Sequence, residues 1–233
     1  MRDELCRLLS VAGLHLSPDR MQQLERYHDL LLTWNLRMDL TNVPEDEMPL
    51  RHYADSLLPL AHGAWFPQGA ALIDVGTGAG FPGLPLAIAR PDMQVCLLDA
   101  LRKRCDFLEE VVKETGLQNV IVVHGRAEDA ARGMHRQRYD VAVARAVAPL
   151  SVLAEYLLPF VKVGGNALCW KGPAVDGELR DAGRALRALG AVAGDRLRLP
   201  LPGFEHYVQE LKKQAVTPAA YPRKAGTPAK KPL

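Results

Sequence analysis

Cysteine is scarce in this 233-residue chain: Cys6, Cys96, Cys105 and Cys169 stand far apart, with no C-x-x-C pair and no histidine or cysteine partner at metal-ligand spacing. This argues against a disulfide framework and a zinc site, and predicts buried, reduced thiols and no bound metal. Long apolar runs are also missing. None approaches the roughly 18 residues that span a bilayer, and the opening MRDELCRLLS lacks a signal-peptide pattern, so a cytoplasmic chain without membrane contact is expected. Net charge is only +2, too little for unselective coating by nucleic acid. The seven histidines form no HExxH, and neither GxSxG nor a P-loop motif occurs, so zinc protease, serine hydrolase and P-loop readings lack their anchors. His52, Asp55 and Ser56 fall within one helical turn of each other and read as a buried helix face with capping groups rather than a triad.

What is present is apolar patterning sufficient for a full core, and an uneven distribution of charge. Residues 1–66 carry 6 basic and 10 acidic side chains, residues 67–210 carry 17 of each, and residues 211–233 carry 6 basic and none acidic. Three units are expected: a helical head over 1–66, a main body over 67–211, and a basic, proline-rich tail over 212–233. In the head, one helix runs to near Gly13. A second opens with Ser17 as N-cap and Pro18 in the first turn, and an amphipathic segment covers about 45–60. From Ala71, apolar strands (71–75, 94–98, 119–123, 139–144, 167–171) alternate with helical patterns (84–89, 102–115, 149–160, 178–189), the signature of a parallel sheet covered on both faces. A final pair near 191–199 and 206–211 is placed as an antiparallel edge.

The most informative segment is LIDVGTGAGFPGLPL, residues 72–86, a strand ending in a glycine-rich turn. Gly76, Gly78, Gly80 and Gly83 let backbone approach a ligand closely, and the last three satisfy GxGxxG with Asp99 about 20 residues on. That pattern alone leaves a nicotinamide dehydrogenase open. Asp74, giving D-x-G-x-G-x-G, resembles the first motif of class I S-adenosylmethionine-dependent methyltransferases, where a carboxylate can attract the cofactor's ammonium.

Ligands on such sheets bind beyond the carboxyl ends of the strands, so polar residues there become candidates. Asp99 can accept both hydroxyls of a ribose, with Ala100 and Leu101 lining a base; the competing reading is a helix N-cap. Ala127 and Glu128 in HGRAED stand where adenine is contacted, or else form a capped loop. Arg145 follows the fourth strand, where amino-group methyltransferases carry Asn or Asp before Pro-Pro. Its absence points away from an exocyclic amine, and an arginine can stack on a base or hold phosphate; the competing reading is a surface ion pair. Arg102, Lys103 and Arg104 oppose the macrodipole at a helix start, so they are not there for helix stability; phosphate contact, together with Lys171 at the end of the fifth strand, stands beside a simple solvated face. In the tail, Arg223, Lys224, Lys230 and Lys231 are candidates for phosphate contact, or else part of a solvated terminus.

Taken together, WNLRMDLTNV, RHYADSL, DVGTGAGFPGLPLAI, LLDALRKRCDFL, GRAED, ARAVAPL, LPFVKVGGNALCWKGP and YPRKAGTPAKKPL closely resemble the bacterial 16S ribosomal RNA methyltransferases of the glucose-inhibited division protein B family. The one departure is Asp39, where the family commonly has asparagine before Leu-Thr. The resemblance implies a Rossmann-like class I fold with a mostly parallel seven-stranded sheet and an N-terminal helical subdomain. It implies S-adenosyl-L-methionine as cofactor and 7-methylguanosine in the small ribosomal subunit as product, with no obligate protein partner. It carries cofactor contact over to Gly76, Phe81, Asp99, Ala100, Leu101, Ala127, Glu128 and Arg145. Guanine N7 has a free lone pair, so the implied reaction needs no general base. A small-molecule methyltransferase and a non-catalytic RNA-binding factor remain the rivals.

Overall fold

The computed structural model describes residues 1–145 and 148–233. Its centre is a seven-stranded sheet of β1 (Ala71–Val75), β2 (Gln94–Asp99), β3 (Val120–His124), β4 (Tyr139–Arg145), β5 (Val161–Lys171), β6 (Ala191–Arg198) and β7 (Tyr207–Lys213), in the order β3-β2-β1-β4-β5-β7-β6. The first five strands pair in parallel, while β7 runs antiparallel to both β5 and β6. The central strands are short apolar runs, such as the LIDV of β1, because helices cover both faces. Strand order reverses between β1 and β4, so the loops following those strands diverge and open a crevice there.

The helices are α1 (Arg2–Ser10), α2 (Pro18–Asn35), α3 (Asp55–Leu57), α4 (Gly83–Ala89), α5 (Arg102–Thr115), α6 (Ala127–Ala130), α7 (Leu150–Leu157), α8 (Val175–Asp181), α9 (Gly183–Leu189) and α10 (Thr227–Lys230). Ser17 caps α2 by accepting the Arg20 N–H, with Pro18 in the first turn, and Gly116 ends α5 in the left-handed conformation at φ +67°. The expected segment over 45–60 is helical but irregular: a π-helical turn at Pro49–Ala54 leads into α3, followed by a 3-10 turn at Leu58–Ala61 that contains Pro59. The helix expected over 178–189 is divided at Ala182, where glycine at position 183 is a poor helix former. β5 begins six residues earlier than its apolar run suggests, since Gly164 and Gly165 dilute the pattern.

Two apolar clusters fill the two sides of the sheet. One joins Leu5, Leu24 and Leu31 of the head to Leu84, Phe107 and Val143, so α1 and α2 share their core with α4, α5 and the sheet. The other packs Leu153 and Leu157 of α7 and Leu186 of α9 against Ile73, Ala142 and Cys169. Residues 217–233 lie against this second side. Pro222 and Pro228 are buried, Arg136 donates to the carbonyls of Thr217 and Tyr221 at 2.7 Å each, and Arg132 donates to that of Pro222 at 3.0 Å. Arg223 forms a bidentate pair with Glu155 of α7, whose side chain is 1% exposed.

Candidate active site

A cleft of about 510 Å³ opens at the carboxyl ends of β1, β2 and β4, within the usual range for a small-molecule site. Gly76, Thr77, Gly78, Asp99, Ala100 and Leu101 contribute one part of its lining, and Leu40, Thr41, His52, Phe81 and Arg145 another. A smaller cavity of about 240 Å³ shares Gly76 and Ala100 with it and is further lined by Gly125, Ala127, Glu128 and Ala229. The expected cofactor-contacting residues therefore come together from four separate loops.

Asp74 holds the glycine loop in shape. Its Oδ2 accepts the Thr77 hydroxyl at 2.6 Å and the Gly83 N–H at 2.8 Å, and its side chain is completely buried. Burial pushes this carboxyl up to about 6, against the opposing effect of those two bonds. Asp74 lies beneath the cleft and does not line it, so the sequence-based role of meeting the cofactor's ammonium gives way to that of a loop clamp. The glycines divide likewise. Gly78 has φ +60°, and a Cβ placed there would meet nothing within 4 Å, leaving open space above the loop. At Gly80 a Cβ would collide with Leu84, and at Gly83 with Leu97 and Asp74, so these two serve packing.

Asp99 presents its carboxylate to the cleft with one backbone bond on each oxygen: Gly78 N–H to Oδ2 and Leu101 N–H to Oδ1, both 2.9 Å. The α5 N-cap is Leu101 without a side-chain cap, so Asp99 is not the capping residue. Each oxygen keeps further acceptor capacity, which suits a pair of vicinal hydroxyls. Glu128 is buried and accepts the Gly226 N–H at 2.7 Å, tying the C-terminal segment to the smaller cavity. The open space over Gly78, the free acceptor capacity of Asp99 and the adjoining second cavity fit a nucleoside-bearing cofactor with an amino-acid arm.

Arg145 is the most heavily held side chain in the cleft. Nη1 donates to Asp55 Oδ2 at 2.9 Å and to the Arg51 carbonyl at 3.0 Å, while Nη2 lies 3.1 Å from His52 Nδ1. Its Cζ stands 5.0 Å from the centroid of Phe81, and the His52 ring stacks on that same ring at 4.4 Å. Asp55, fully buried, receives His206 Nδ1 on its other oxygen at 2.5 Å. Among the described residues, three of the five guanidinium N–H groups are thus engaged. The surface ion pair considered for Arg145 is instead an internal one. Burial and Arg145 lower the His52 imidazole to about 3, so it is neutral at physiological pH.

His52, Asp55 and His206 were not legible as site residues. His52 lies in the π-helical turn and Asp55 opens α3 directly after it; both meet Arg145, while Ser56 Oγ donates back to the His52 carbonyl. The inclusion of RHYADSL among the family-like segments hinted at His52 and Asp55, and no quoted segment held His206.

Of the expected phosphate contacts, Arg102 and Lys103 are exposed at the start of α5, and Arg104 lines the cleft 3.7 Å from Asp99 Oδ2. Lys171 is buried, 2.6 Å from Glu178 and bonded to the Ala148 carbonyl. Arg223 is held by Glu155, whereas Lys224, Lys230 and Lys231 are exposed. The cations thus separate into structural and surface sets. Among the described residues, no group of three or more His, Cys, Asp or Glu side chains could hold a metal ion, and no helix is long and apolar enough to cross a membrane.

Comparison with known proteins gives concordant results. The model of the family described as rRNA small subunit methyltransferase G matches residues 20–195. The ribosomal RNA small subunit methyltransferase G of Alkaliphilus oremlandii is 46% identical, over 95% of this chain and 94% of its own. That of Leuconostoc mesenteroides is 45% identical, over 99% and 98%. Solved structures are more distant and speak to the fold alone. The TYW2 protein of M. jannaschii in complex with AdoMet superposes with a TM-score of 0.51 at 16% identity, over 68% of this chain and 76% of that one. MtNAS in complex with MTA and tNA gives a TM-score of 0.56 at 14% identity, over 83% and 70%. The fold is the class I, Rossmann-like one of S-adenosylmethionine-dependent methyltransferases. A family model spanning most of the chain and relatives near 45% identity along almost all of it leave one placement: the chain belongs to the rRNA small subunit methyltransferase G family.

Proposed function

We propose that this chain transfers the methyl group of S-adenosylmethionine to N7 of a guanine in 16S ribosomal RNA of the small subunit, in the cytoplasm. The observation that carries the acceptor is the state of His52. Its Nδ1 already faces an Arg145 donor, and the imidazole stays neutral down to about pH 3, so the histidine lining the cleft is no proton acceptor. Asp99 is assigned to the ribose hydroxyls of the cofactor, and Asp74 lies out of reach below the loop. A 2′-hydroxyl or an exocyclic amine has a proton to lose, for which this cleft supplies no fitted base among the described residues. Guanine N7 has none.

When bound, the cofactor supplies an electrophilic methyl on a sulfonium. The chain's residues then act by holding geometry: Asp99 takes the ribose hydroxyls, Gly76 and Gly78 admit the cofactor backbone-close, and Ala127 and Glu128 face the adenine. Phe81 and Arg145 form the part of the cleft where the target base settles. Positioning of this kind can supply on the order of 7 to 11 kcal/mol. Positive charge passes to the purine during transfer, so Arg145 serves better as a positioning group than as a charge stabiliser against the ring. Arg102, Lys103, Lys224, Lys230 and Lys231 are assigned to RNA backbone, with Arg104 at the mouth of the cleft.

Mass mapping of small-subunit RNA before and after incubation with protein and S-adenosylmethionine tests the reading; one new 7-methylguanosine is expected, and methylation of metabolites alone would overturn it. Asp99→Ala is expected to weaken cofactor binding about 100-fold, the equivalent of two hydrogen bonds to a charged group at about 1.5 kcal/mol each. Calorimetric titration measures this, and an affinity within threefold of wild type would remove Asp99 from the cofactor site.

A further inference from the structure

Thr41 stands in the cleft with an unusually constrained hydroxyl. Its backbone is fixed by Asn35 at the end of α2, whose Oδ1 accepts the N–H groups of Leu40 and Thr41 at 2.9 and 3.0 Å and whose Nδ2 donates to the Thr41 carbonyl at 2.9 Å. The hydroxyl's bonds follow from elimination. A guanidinium only donates, so His52 Nδ1, 3.1 Å from Arg145 Nη2, must accept, and the neutral ring carries its proton on Nε2. Nε2 lies 2.7 Å from Thr41 Oγ1 and therefore donates to it. The Val43 N–H donates to the same oxygen at 3.1 Å.

Both lone pairs of Oγ1 are thereby taken, and the hydroxyl can act only as a donor. No acceptor for its proton lies within reach among the described residues, and Thr41 lines the same cleft as Gly76, Asp99 and Arg145. An ordinary threonine hydroxyl accepts or donates as its partner requires and so distinguishes little. Here the chain from Arg145 through His52 makes it one-way.

We propose that Thr41 reads the target base, its hydroxyl donating to O6 of the guanine whose N7 receives the methyl. This rests on the guanine-N7 reading above. The N7 edge of guanine offers two adjacent acceptors, N7 and O6, whereas that of adenine sets an amino donor beside N7. A one-way donor therefore accepts guanine and opposes adenine, leaving a donor unpaired on each side. Thr41 is a specificity residue, and Arg145 and His52 set its polarity.

The test compares wild type, Thr41→Val and Thr41→Ser in single-turnover methylation of small subunits reconstituted with guanine or with 2-aminopurine, which lacks the 6-oxo group, at the target position. Thr41→Val is expected to slow transfer to guanine at least tenfold, with Thr41→Ser within threefold of wild type. On 2-aminopurine, wild type and Thr41→Val should react alike. An equal wild-type to Thr41→Val ratio on the two bases would reduce Thr41 to a structural residue, as would a full Thr41→Val rate on guanine. If wild type makes 7-methylguanosine and the ratios are equal, the Thr41 role alone falls; if it makes none, the guanine reading falls with it. Calorimetric affinity for S-adenosylmethionine should be the same in all three proteins, and a loss in Thr41→Val would also refute a role confined to the base.

Discussion

Arg145→Lys is expected to lower single-turnover methyl transfer by about 100-fold while costing no more than about 2 kcal/mol of stability. Lysine keeps the charge beside Asp55 but is a point donor on a flexible stem, and it cannot reach Asp55, the Arg51 carbonyl and His52 at once. The His52 ring then loses the donor that fixes its tautomer, and Phe81 loses the planar cation over its face. Arg145→Ala should do more. It strands the fully buried Asp55 with only His206, so a loss of about 3–5 kcal/mol in urea unfolding is expected alongside the loss of activity. Wild-type transfer rates in the lysine variant would show that the fork has no part in the reaction.

The second large effect is expected far from the reacting atoms. Arg223→Ala removes the bidentate partner of Glu155, a carboxylate enclosed in α7, and should cost about 3–5 kcal/mol, roughly 10 °C in Tm for a chain of this size. The double variant Arg223→Met, Glu155→Leu should recover most of it, because no charge is left buried without a partner. Thermal unfolding followed by circular dichroism decides: a Tm within 2 °C of wild type in Arg223→Ala would mean that the pair does not hold the segment.

The difference between these two sites shows what was legible in the sequence. The parallel part of the sheet was, since each of its five strands contains a short apolar run and the loops must then meet at their carboxyl ends. Asp99, Ala100 and Leu101 followed from position alone. The role of Asp74 did not, because a carboxylate two residues before a glycine reads the same whether it faces a ligand or ties the loop from below. The packing of Gly80 and Gly83 depends on Leu84 and Leu97, which adjacency in sequence cannot reveal. A basic, proline-rich stretch reads as solvated unless its counter-charges are known. Here Glu155 pairs with Arg223 and Glu128 accepts the Gly226 N–H, partners 68 and 98 residues apart in the chain. His52 and Asp55 do form the buried face their spacing suggests; what spacing could not supply is their shared partner Arg145, 93 and 90 residues away.

The docked C-terminal segment also bears on how the smaller cavity is walled. Ala229 forms part of the smaller cavity beside Glu128, and the N–H that Glu128 binds belongs to Gly226. One wall of that cavity is therefore borne by a segment that is itself held from outside, through Arg132, Arg136 and the Glu155–Arg223 pair. A substitution at any of these anchors thus acts on the cavity without touching its lining.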